Sequence, residues 1–297
     1  MVEMTQHLED FLKFDLGELD VTLYPNVELD IPYMTNGNQV FDLYLPEGNK
    51  PFPLIIVIHG GGWISGYRRS KFMGPMIQPV FKGVAIACIS YTLALEKPFP
   101  QAVYDIKTAI RYFKANGERL GIDPSKIILW GESAGANLAA LCGLTTDSDL
   151  HDLSQGWSEY SEKIDGVISH YGVYDFLTID RQLVENGVHD DWPMSSEDSP
   201  ASCFVGQPIL KDIEVTRKAN PMSYVKGNHV PFFLQHGKKD TMVPWQQTRD
   251  FAAALSAQGN EVALDYIDEA VHTDIAFFSQ QEIEKIMRFC ERVWVRK

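Results

Sequence analysis

A serine flanked by glycines carries the clearest chemical signal in the sequence. Residues 127–135 read Ile-Ile-Leu-Trp-Gly-Glu-Ser-Ala-Gly, an apolar strand that runs into the pattern G-x-S-x-G. Gly131 and Gly135 lack a Cβ, so the chain can turn sharply and expose the Oγ of Ser133 before a helix that begins at Ala134. The amides and dipole of that helix favour an oxyanion at its N-terminal end. We therefore predict that Ser133 is a nucleophile.

A glycine-rich loop supplies the second motif. The apolar run 54–58 leads into His59-Gly-Gly-Gly-Trp63, where consecutive glycines allow backbone amides to approach a ligand closely. We predict that the amides of Gly61, Gly62 and Ala134 form an oxyanion hole. A phosphate-binding loop is the alternative, but the sequence has neither a following G-K-[ST] nor the G-x-G-x-x-G spacing. His59 is interpreted as structural, since a general base is expected later in the chain.

Two later segments offer an acid and a base for this serine. The strand-like run 231–236 breaks at Gly237 and leads to Asp240, and the alternating run 261–267 leads to His272. Both residues come just past the end of a predicted strand, where α/β sheets place their ligands. We therefore predict a catalytic triad of Ser133, Asp240 and His272.

Other residues compete for the acid and base roles. Asp175 also follows a predicted strand and is the strongest alternative to Asp240 as the acid. His170 and His236 end predicted strands as well. His170 has no acid-bearing strand before it, and His236 precedes Asp240 too closely, so His272 is the preferred base.

Together these motifs resemble the α/β-hydrolase carboxylesterases, close to the hormone-sensitive-lipase-like branch and to the feruloyl or acetylxylan esterase-like branch of BD-FAE type. The resemblance covers about residue 40 to the C terminus. It extends to the segments 99–107, 121–128, 199–202 and 219–224. Two positions depart from the common pattern, Glu132 where many relatives carry Asp and Val271 where Gly is frequent. The resemblance implies a serine carboxylic-ester hydrolase that works through an acyl-enzyme and needs no cofactor.

The order of predicted elements indicates the α/β class. Two antiparallel entry strands, at 22–33 and 40–45, precede alternating strands and helices, which predicts a mostly parallel central sheet with helices on both faces. We expect one domain over 1–297, with the α/β-hydrolase fold that the resemblance implies. Between 173 and 228 the hydrophobic period fails and Asp, Ser and Pro accumulate. We interpret this segment as a small cap or lid insertion that shapes the substrate pocket.

Five side chains are candidates for the substrate pocket. These candidates are Trp63, Tyr67, Tyr91, Trp192 and Val243. Trp63, which directly follows the glycine loop, is the candidate for the acyl side. Aromatic residues beside a glycine loop also serve as ordinary packing, which is the alternative for each of the five.

Composition limits the classes of partner. The formal net charge of −14 disfavours nucleic acid and anionic membranes and favours neutral or cationic esters. The first ten residues lack a basic start and an apolar core, and the four cysteines are scattered, so we expect a cytoplasmic protein with free thiols. No spacing typical of a metal site is present, and we predict neither a metal nor a cofactor.

These observations predict a hydrolase of short-acyl esters, with acetylated or feruloylated carbohydrates among the candidate substrates. A small, polar cap offers little surface to a fatty chain, which favours short acyl groups. An amidase of the aryl formamidase type is the first alternative, because the His-Gly-Gly-Gly-Trp loop resembles that group too. A ligand-binding protein without catalysis is the second alternative, although such proteins usually lose the nucleophile or the base.

Overall fold

Eight strands form one sheet within the described residues, which are 5–35, 38–146, 148–189, 191–227 and 229–295 of this computed structural model. The strands are β1 (Val27–Pro32), β2 (Val40–Tyr44), β3 (Phe52–Ile58), β4 (Ala85–Ile89), β5 (Ile122–Glu132), β6 (Gly166–His170), β7 (Phe232–Gly237) and β8 (Val262–Ile267). Their spatial order is β1-β2-β4-β3-β5-β6-β7-β8. Strand β2 pairs antiparallel with β1 and with β4, and every other neighbouring pair is parallel.

Helices cover both faces of this sheet. They are α1 (Gln6–Leu12), α2 (Gly74–Ile77), α3 (Gln101–Leu120), α4 (Ala134–Leu144), α5 (Ile179–Glu185), α6 (Pro200–Val205), α7 (Ile213–Lys218), α8 (Gln246–Ala257) and α9 (Gln280–Val295). One core cluster joins the sheet to α3, α4 and α8, and a second joins it to α2 and α9. The predicted α/β class, with a mostly parallel sheet between helices, is confirmed.

The central strands are apolar on both faces because both are covered. In β3, Ile56 and Ile58 belong to the core under α3 and α4, whereas Ile55 and Val57 belong to the core under α9. Successive side chains of a strand point to opposite faces, so a strand buried on both sides reads as a continuous apolar run. This packing fixes where β3 and β5 end, and both ends carry candidate motifs.

The first predicted entry strand is shorter than the sequence indicated. Residues Val21–Leu23 form a 3-10 turn, and the strand begins only at Val27. The turn forms because the Asp20 carboxylate accepts the amide of Thr22, and Asn26 then adopts a positive φ of 45°. The predicted antiparallel pairing of the two entry strands is confirmed.

The described part of segment 173–228 contains three short α-helices, α5, α6 and α7, and a 3-10 helix at Pro221–Tyr224, joined by irregular chain. Positions 190 and 228 of the predicted cap lie outside the described residues. Phe176 and Phe204 pack against Trp63, so the segment is anchored beside the glycine loop. In the described part of the chain, no helix is both long enough and apolar enough to cross a membrane.

Candidate active site

Ser133 sits on a strained turn between β5 and α4. Its φ of 50° and ψ of −118° are unfavourable for a residue with a side chain. A Cβ at Gly131 would lie 2.1 Å from the carbonyl oxygen of Gly135, and a Cβ at Gly135 would lie 2.1 Å from that of Ile58. Only glycine therefore allows α4 to approach β3 and β5 this closely, and the turn exposes the serine as the motif predicts.

The structure brings Ser133, His272 and Asp240 together in one hydrogen-bonded chain. His272 Nε2 lies 2.9 Å from Ser133 Oγ, and His272 Nδ1 lies 2.7 Å from Asp240 Oδ2. The three residues follow β5, β8 and β7, whose carboxyl ends meet at one edge of the sheet. This geometry allows the imidazole to accept the serine proton while the carboxylate holds the opposite nitrogen.

The Asp240 carboxylate is held by its own loop as well as by His272. Oδ1 accepts the amides of Met242 and Val243 at 2.9 and 2.8 Å, and Oδ2 lies 3.3 Å from His236 Nε2. His236 is in turn fixed by the Val243 carbonyl, to which its Nε2 donates at 2.9 Å. A carboxylate with both oxygens occupied has little rotational freedom, which preorganises its bond to His272.

Electrostatics favour an ionised acid and a basic imidazole. Burial alone would raise the pKa of Asp240, but the adjacent His272 and the hydrogen bond to His236 hold it well below its usual range. Burial alone would lower the pKa of His272, yet the charge and hydrogen bond of Asp240 raise it above its usual value of about 6.5. The imidazolium formed during proton transfer is therefore stabilised where it is needed.

Asp175, the competing acid, is engaged elsewhere. Its Oδ1 accepts the side-chain amide of Asn220 at 2.7 Å and the backbone amide of Leu177 at 3.1 Å. The backbone amide of Asp175 donates to Gln247 Oε1 at 2.8 Å. Asp175 thus belongs to a polar network that anchors the start of segment 173–228, and it makes no hydrogen bond to His272 among the described contacts.

The glycine loop presents free amides next to the serine. Gly61 has a φ of 104°, and a Cβ there would lie 2.4 Å from the carbonyl oxygen of Ser65. The Gly61 carbonyl accepts the amides of Ile64 and Ser65, which folds the loop back on itself. Within the described residues, the amides of Gly61, Gly62 and Ala134 donate to no protein group. These three amides are available to an oxyanion on a substrate.

His59 and Tyr91 stabilise the glycine loop through hydrogen bonds and ring stacking. The Tyr91 hydroxyl donates to the His59 carbonyl at 3.0 Å, and the two rings stack with centroids 4.3 Å apart. His59 Nδ1 donates to the Gly60 carbonyl at 2.8 Å, and burial lowers the pKa of this ring to about 4. A neutral, stacked histidine is consistent with the structural interpretation of His59.

Glu132, which the sequence marked only as a departure, lies at the centre of the site. Its carboxylate accepts the Tyr171 hydroxyl at 2.7 Å and the Gly60 amide at 3.3 Å. Burial raises the pKa of Glu132, although the two hydrogen bonds act to lower it. The Tyr171 ring meets the His272 ring edge-on at 4.8 Å. Glu132 thereby links the glycine loop to the residue that packs on the candidate base, and only its position before Ser133 hinted at this.

A mostly apolar cavity of about 450 Å³ opens beside Ser133. Ser133, His272, Thr273 and the glycine loop form its reactive side. Its apolar lining comes from Phe11, Phe14, Leu16, Phe72, Met73 and Met242. None of the described residues of segment 173–228 lines it, so the N-terminal segment supplies more of the described wall than the predicted cap does.

The structure places the five predicted pocket residues outside the lining of this cavity. Trp63 adopts a φ of 62°, which turns its ring into the core, where it stacks on Phe204 at 4.9 Å. The others lie behind the walls: Tyr67 donates to the Gly17 carbonyl, Tyr91 stacks on His59, Trp192 packs on α1, and Val243 binds Asp240. Each therefore supports a wall element and does not face the cavity, which differs from the prediction.

Comparison with known proteins identifies a matching family model, a similar curated protein and solved structures of similar fold. The BD-FAE family model matches residues 41–255. Esterase LipQ of Mycobacterium tuberculosis is 32% identical over 235 residues, which cover 77% of this chain and 53% of LipQ. The chain thus spans about half the length of the curated relatives it matches.

Two solved structures share the fold. A truncated carbohydrate esterase from gut microbiota superposes with a TM-score of 0.79 at 22% identity, covering 93% of this chain and 99% of that one. Esterase Est2 of Thermogutta terrifontis, with butyrate bound, gives a TM-score of 0.66 at 22% identity and covers 91% of this chain and 93% of that one. At this level of identity the two structures show a common fold.

Proposed function

The chain belongs to the BD-FAE family, and on that premise we propose that it is a serine carboxylic-ester hydrolase that acts through an acyl-enzyme. The observation that carries the proposal is the hydrogen-bonded chain from Ser133 Oγ through His272 to Asp240. A family relationship to esterases and a complete nucleophile–base–acid geometry point to the same reaction.

In the proposed reaction, Ser133 Oγ attacks the ester carbonyl while His272 Nε2 takes its proton. Asp240 keeps Nδ1 protonated, which leaves Nε2 free to accept, and stabilises the imidazolium. The amides of Gly61, Gly62 and Ala134 stabilise the oxyanion. His272 then returns the proton to the leaving alcohol, and a water activated by the same imidazole hydrolyses the acyl-enzyme.

The size and chemistry of the cavity support short-acyl esters as substrates. A volume of about 450 Å³ lies near the lower end of the range for ligand pockets, roughly 300–1,000 Å³, and acyl and alcohol parts must share it. The Est2 structure contains butyrate, a short carboxylate, and another neighbour of the same fold is a carbohydrate esterase. Acetylated carbohydrates are therefore the natural esters we propose to test first, and feruloylated carbohydrates, whose acyl group is larger, are the second class to test.

The cellular setting is part of the same proposal. All four cysteines are free and buried, as expected for a protein of a reducing compartment, and this supports a cytoplasmic location. The partner we propose is a small-molecule or carbohydrate ester.

Ester hydrolysis is tested against the amidase and binding alternatives in one assay. Purified wild type and Ser133→Ala are given nitrophenyl acetate and an aryl formamide, and kcat/KM is measured for each. We expect wild type to prefer the ester and Ser133→Ala to lose several orders of magnitude in kcat. Preference for the formamide would establish the amidase, and absence of turnover by wild type would favour a binding protein.

A further inference from the structure

The N-terminal segment forms an apolar wall of the active-site cavity. Phe11 and Phe14, at the end of α1 and just beyond it, line the cavity together with Leu16. Phe14 packs on Phe72, another lining residue, with ring centroids 6.1 Å apart. These side chains come from a part of the chain that precedes the region matched by the family model, so family membership does not assign them a role.

The first half of this segment is fastened to the predicted cap. Thr5 Oγ1 donates to the Asp198 carboxylate, and Trp192 Nε1 donates to the same carboxylate at 3.0 Å. The Trp192 ring stacks on His7 with centroids 5.6 Å apart and meets Phe11 edge-on at 6.2 Å. The cap therefore acts on the cavity indirectly, because it holds α1 in place.

The second half is fastened to the chain that follows the glycine loop. The Gly17 carbonyl accepts the Tyr67 hydroxyl at 2.6 Å, and the Leu19 amide donates to the Arg69 carbonyl at 3.0 Å. Phe11 and Phe14 lie between these two sets of hydrogen bonds. The backbone that carries Phe11 and Phe14 is thus held on both sides, which fixes the position of these two side chains in the cavity wall.

The chemistry of the proposed reaction indicates which part of the ester meets this wall. The leaving alcohol must lie within reach of His272 Nε2, which protonates it, and the carbonyl oxygen must face Gly61, Gly62 and Ala134. The acyl chain takes the direction that neither group occupies. Phe11 lies beside this reacting centre, because its Cζ is 3.0 Å from where a Cβ of Gly62 would be, and both Phe11 and Phe14 line the cavity that receives the ester.

Resting on the proposed function, we propose that Phe11 and Phe14 set the length of acyl chain that the enzyme accepts. Phe11 lies against Gly62 next to Pro200, since Phe11 Cζ and Pro200 Cβ each lie 3.0 Å from the position of a Gly62 Cβ. Phe14 packs on Phe72, and both rings line the same cavity. Removal of either ring leaves room for further methylenes of an acyl chain.

The test is a nitrophenyl ester series from acetate to dodecanoate with wild type, Phe11→Ala, Phe14→Ala and Lys13→Ala. Lys13 is the matched control, since it lies beside α1 and its exposed ammonium pairs with Glu9 and Asp10. We expect the octanoate-to-acetate ratio of kcat/KM to rise at least about tenfold in both Phe variants and to stay within about twofold in Lys13→Ala. Thermal melting checks that each variant is folded. If an alanine variant is not folded, Phe11→Leu or Phe14→Leu replaces it, and a smaller rise in the octanoate-to-acetate ratio is then expected.

An unchanged ratio in folded Phe variants would overturn the inference and leave the proposed function intact. A second series varies the alcohol of an acetate ester, and a change confined to that series would also overturn it, because the wall would then bound the alcohol side. Failure of wild type to hydrolyse any ester or to react with a fluorophosphonate would instead refute the proposed function, and the inference with it.

Discussion

His272 Nδ1 lies 2.7 Å from Asp240 Oδ2, although the two residues follow different strands and are 32 positions apart in the chain. Asp240 is also held by two loop amides and by His236. With Nδ1 committed to the carboxylate, the remaining nitrogen of His272 faces Ser133 Oγ at 2.9 Å. The order acid, imidazole, hydroxyl is that of a serine nucleophile whose general base is oriented by an ionised acid.

Replacing Asp240 with Asn should cost up to about 10⁴ in kcat, because an amide supports the wrong imidazole tautomer. Asp175→Asn is the matched control, since Asp175 is equally a carboxylate beside the sheet but binds Asn220 and Leu177. We expect this control to keep kcat within about tenfold of wild type. The test is steady-state kinetics on nitrophenyl acetate with folded protein. A larger loss of kcat in Asp175→Asn than in Asp240→Asn would show that Asp240 is not the acid of the triad.

Activity should rise with pH through the titration of His272. Only the neutral imidazole accepts the serine proton, and although burial opposes it, Asp240 raises the pKa of His272 above about 6.5. The acidic limb of kcat/KM against pH should therefore have a midpoint above that value. In Asp240→Asn the raising charge is gone, so the midpoint should move to lower pH. A limb that stays at the same pH in the variant would contradict the electrostatic coupling.

His170 should make folding stability depend on pH. It lies at the end of β6 among Trp130, Phe277 and Phe278, and neither ring nitrogen has a hydrogen-bond partner in the described part of the chain. Burial lowers its pKa to about 3. The unfolded chain binds a proton near pH 6.5, so stability falls as pH drops below that value and continues to fall until about pH 3.

The measurement is chemical denaturation of wild type and His170→Phe at pH 7 and pH 5. By linkage, His170 alone contributes a loss of about 2 kcal/mol between these two values. A phenyl ring fills the same aromatic cluster and does not titrate, so the variant should lose less stability over this interval. Equal losses in the two proteins would show that His170 is protonated in the folded state or exposed to water there.

Gly135→Ala should destabilise the fold much more than a glycine substitution at a position that has space for a Cβ. The new Cβ would lie 2.1 Å from the Ile58 carbonyl oxygen, so α4 would have to move away from β3. Gly83 is the control, because it has a φ of 85° and a Cβ there meets nothing within 4 Å. Gly83→Ala should cost only the strain of a left-handed residue, about 1–2 kcal/mol. Similar losses in thermal melting would mean that the turn at Ser133 tolerates a wider helix–sheet separation.

The residues of the reacting centre were predictable because their constraints are local. Gly131 and Gly135 mark a close approach of helix and sheet, and the carboxyl ends of parallel strands meet at one edge. Strand ends alone therefore placed Ser133, Asp240 and His272 near one another. The choice between Asp240 and Asp175 needed coordinates, since both follow strands and only side-chain hydrogen bonds separate them.

The apolar lining of the cavity was not predictable from motifs. Trp63 stands next to the glycine loop in sequence, but a positive φ turns its ring into the core. Phe11 and Phe14 stand far from every motif in the sequence, and tertiary contacts such as those with Trp192 and Phe72 hold them at the site. Such long-range packing leaves no periodic or spacing signal in one sequence. The pocket residues were predicted mainly from their positions near the motifs or in the predicted cap, and this prediction missed the N-terminal segment.

The most direct test of the central claim is intact-protein mass spectrometry after incubation with a fluorophosphonate. An activated serine attacks the phosphorus and displaces fluoride, which adds one phosphonyl group to the protein. We predict a single adduct on wild type, located by peptide mapping at Ser133, and no adduct on Ser133→Ala. An adduct that persists in Ser133→Ala, or folded wild type that remains unmodified, would contradict the assignment of Ser133 as the nucleophile.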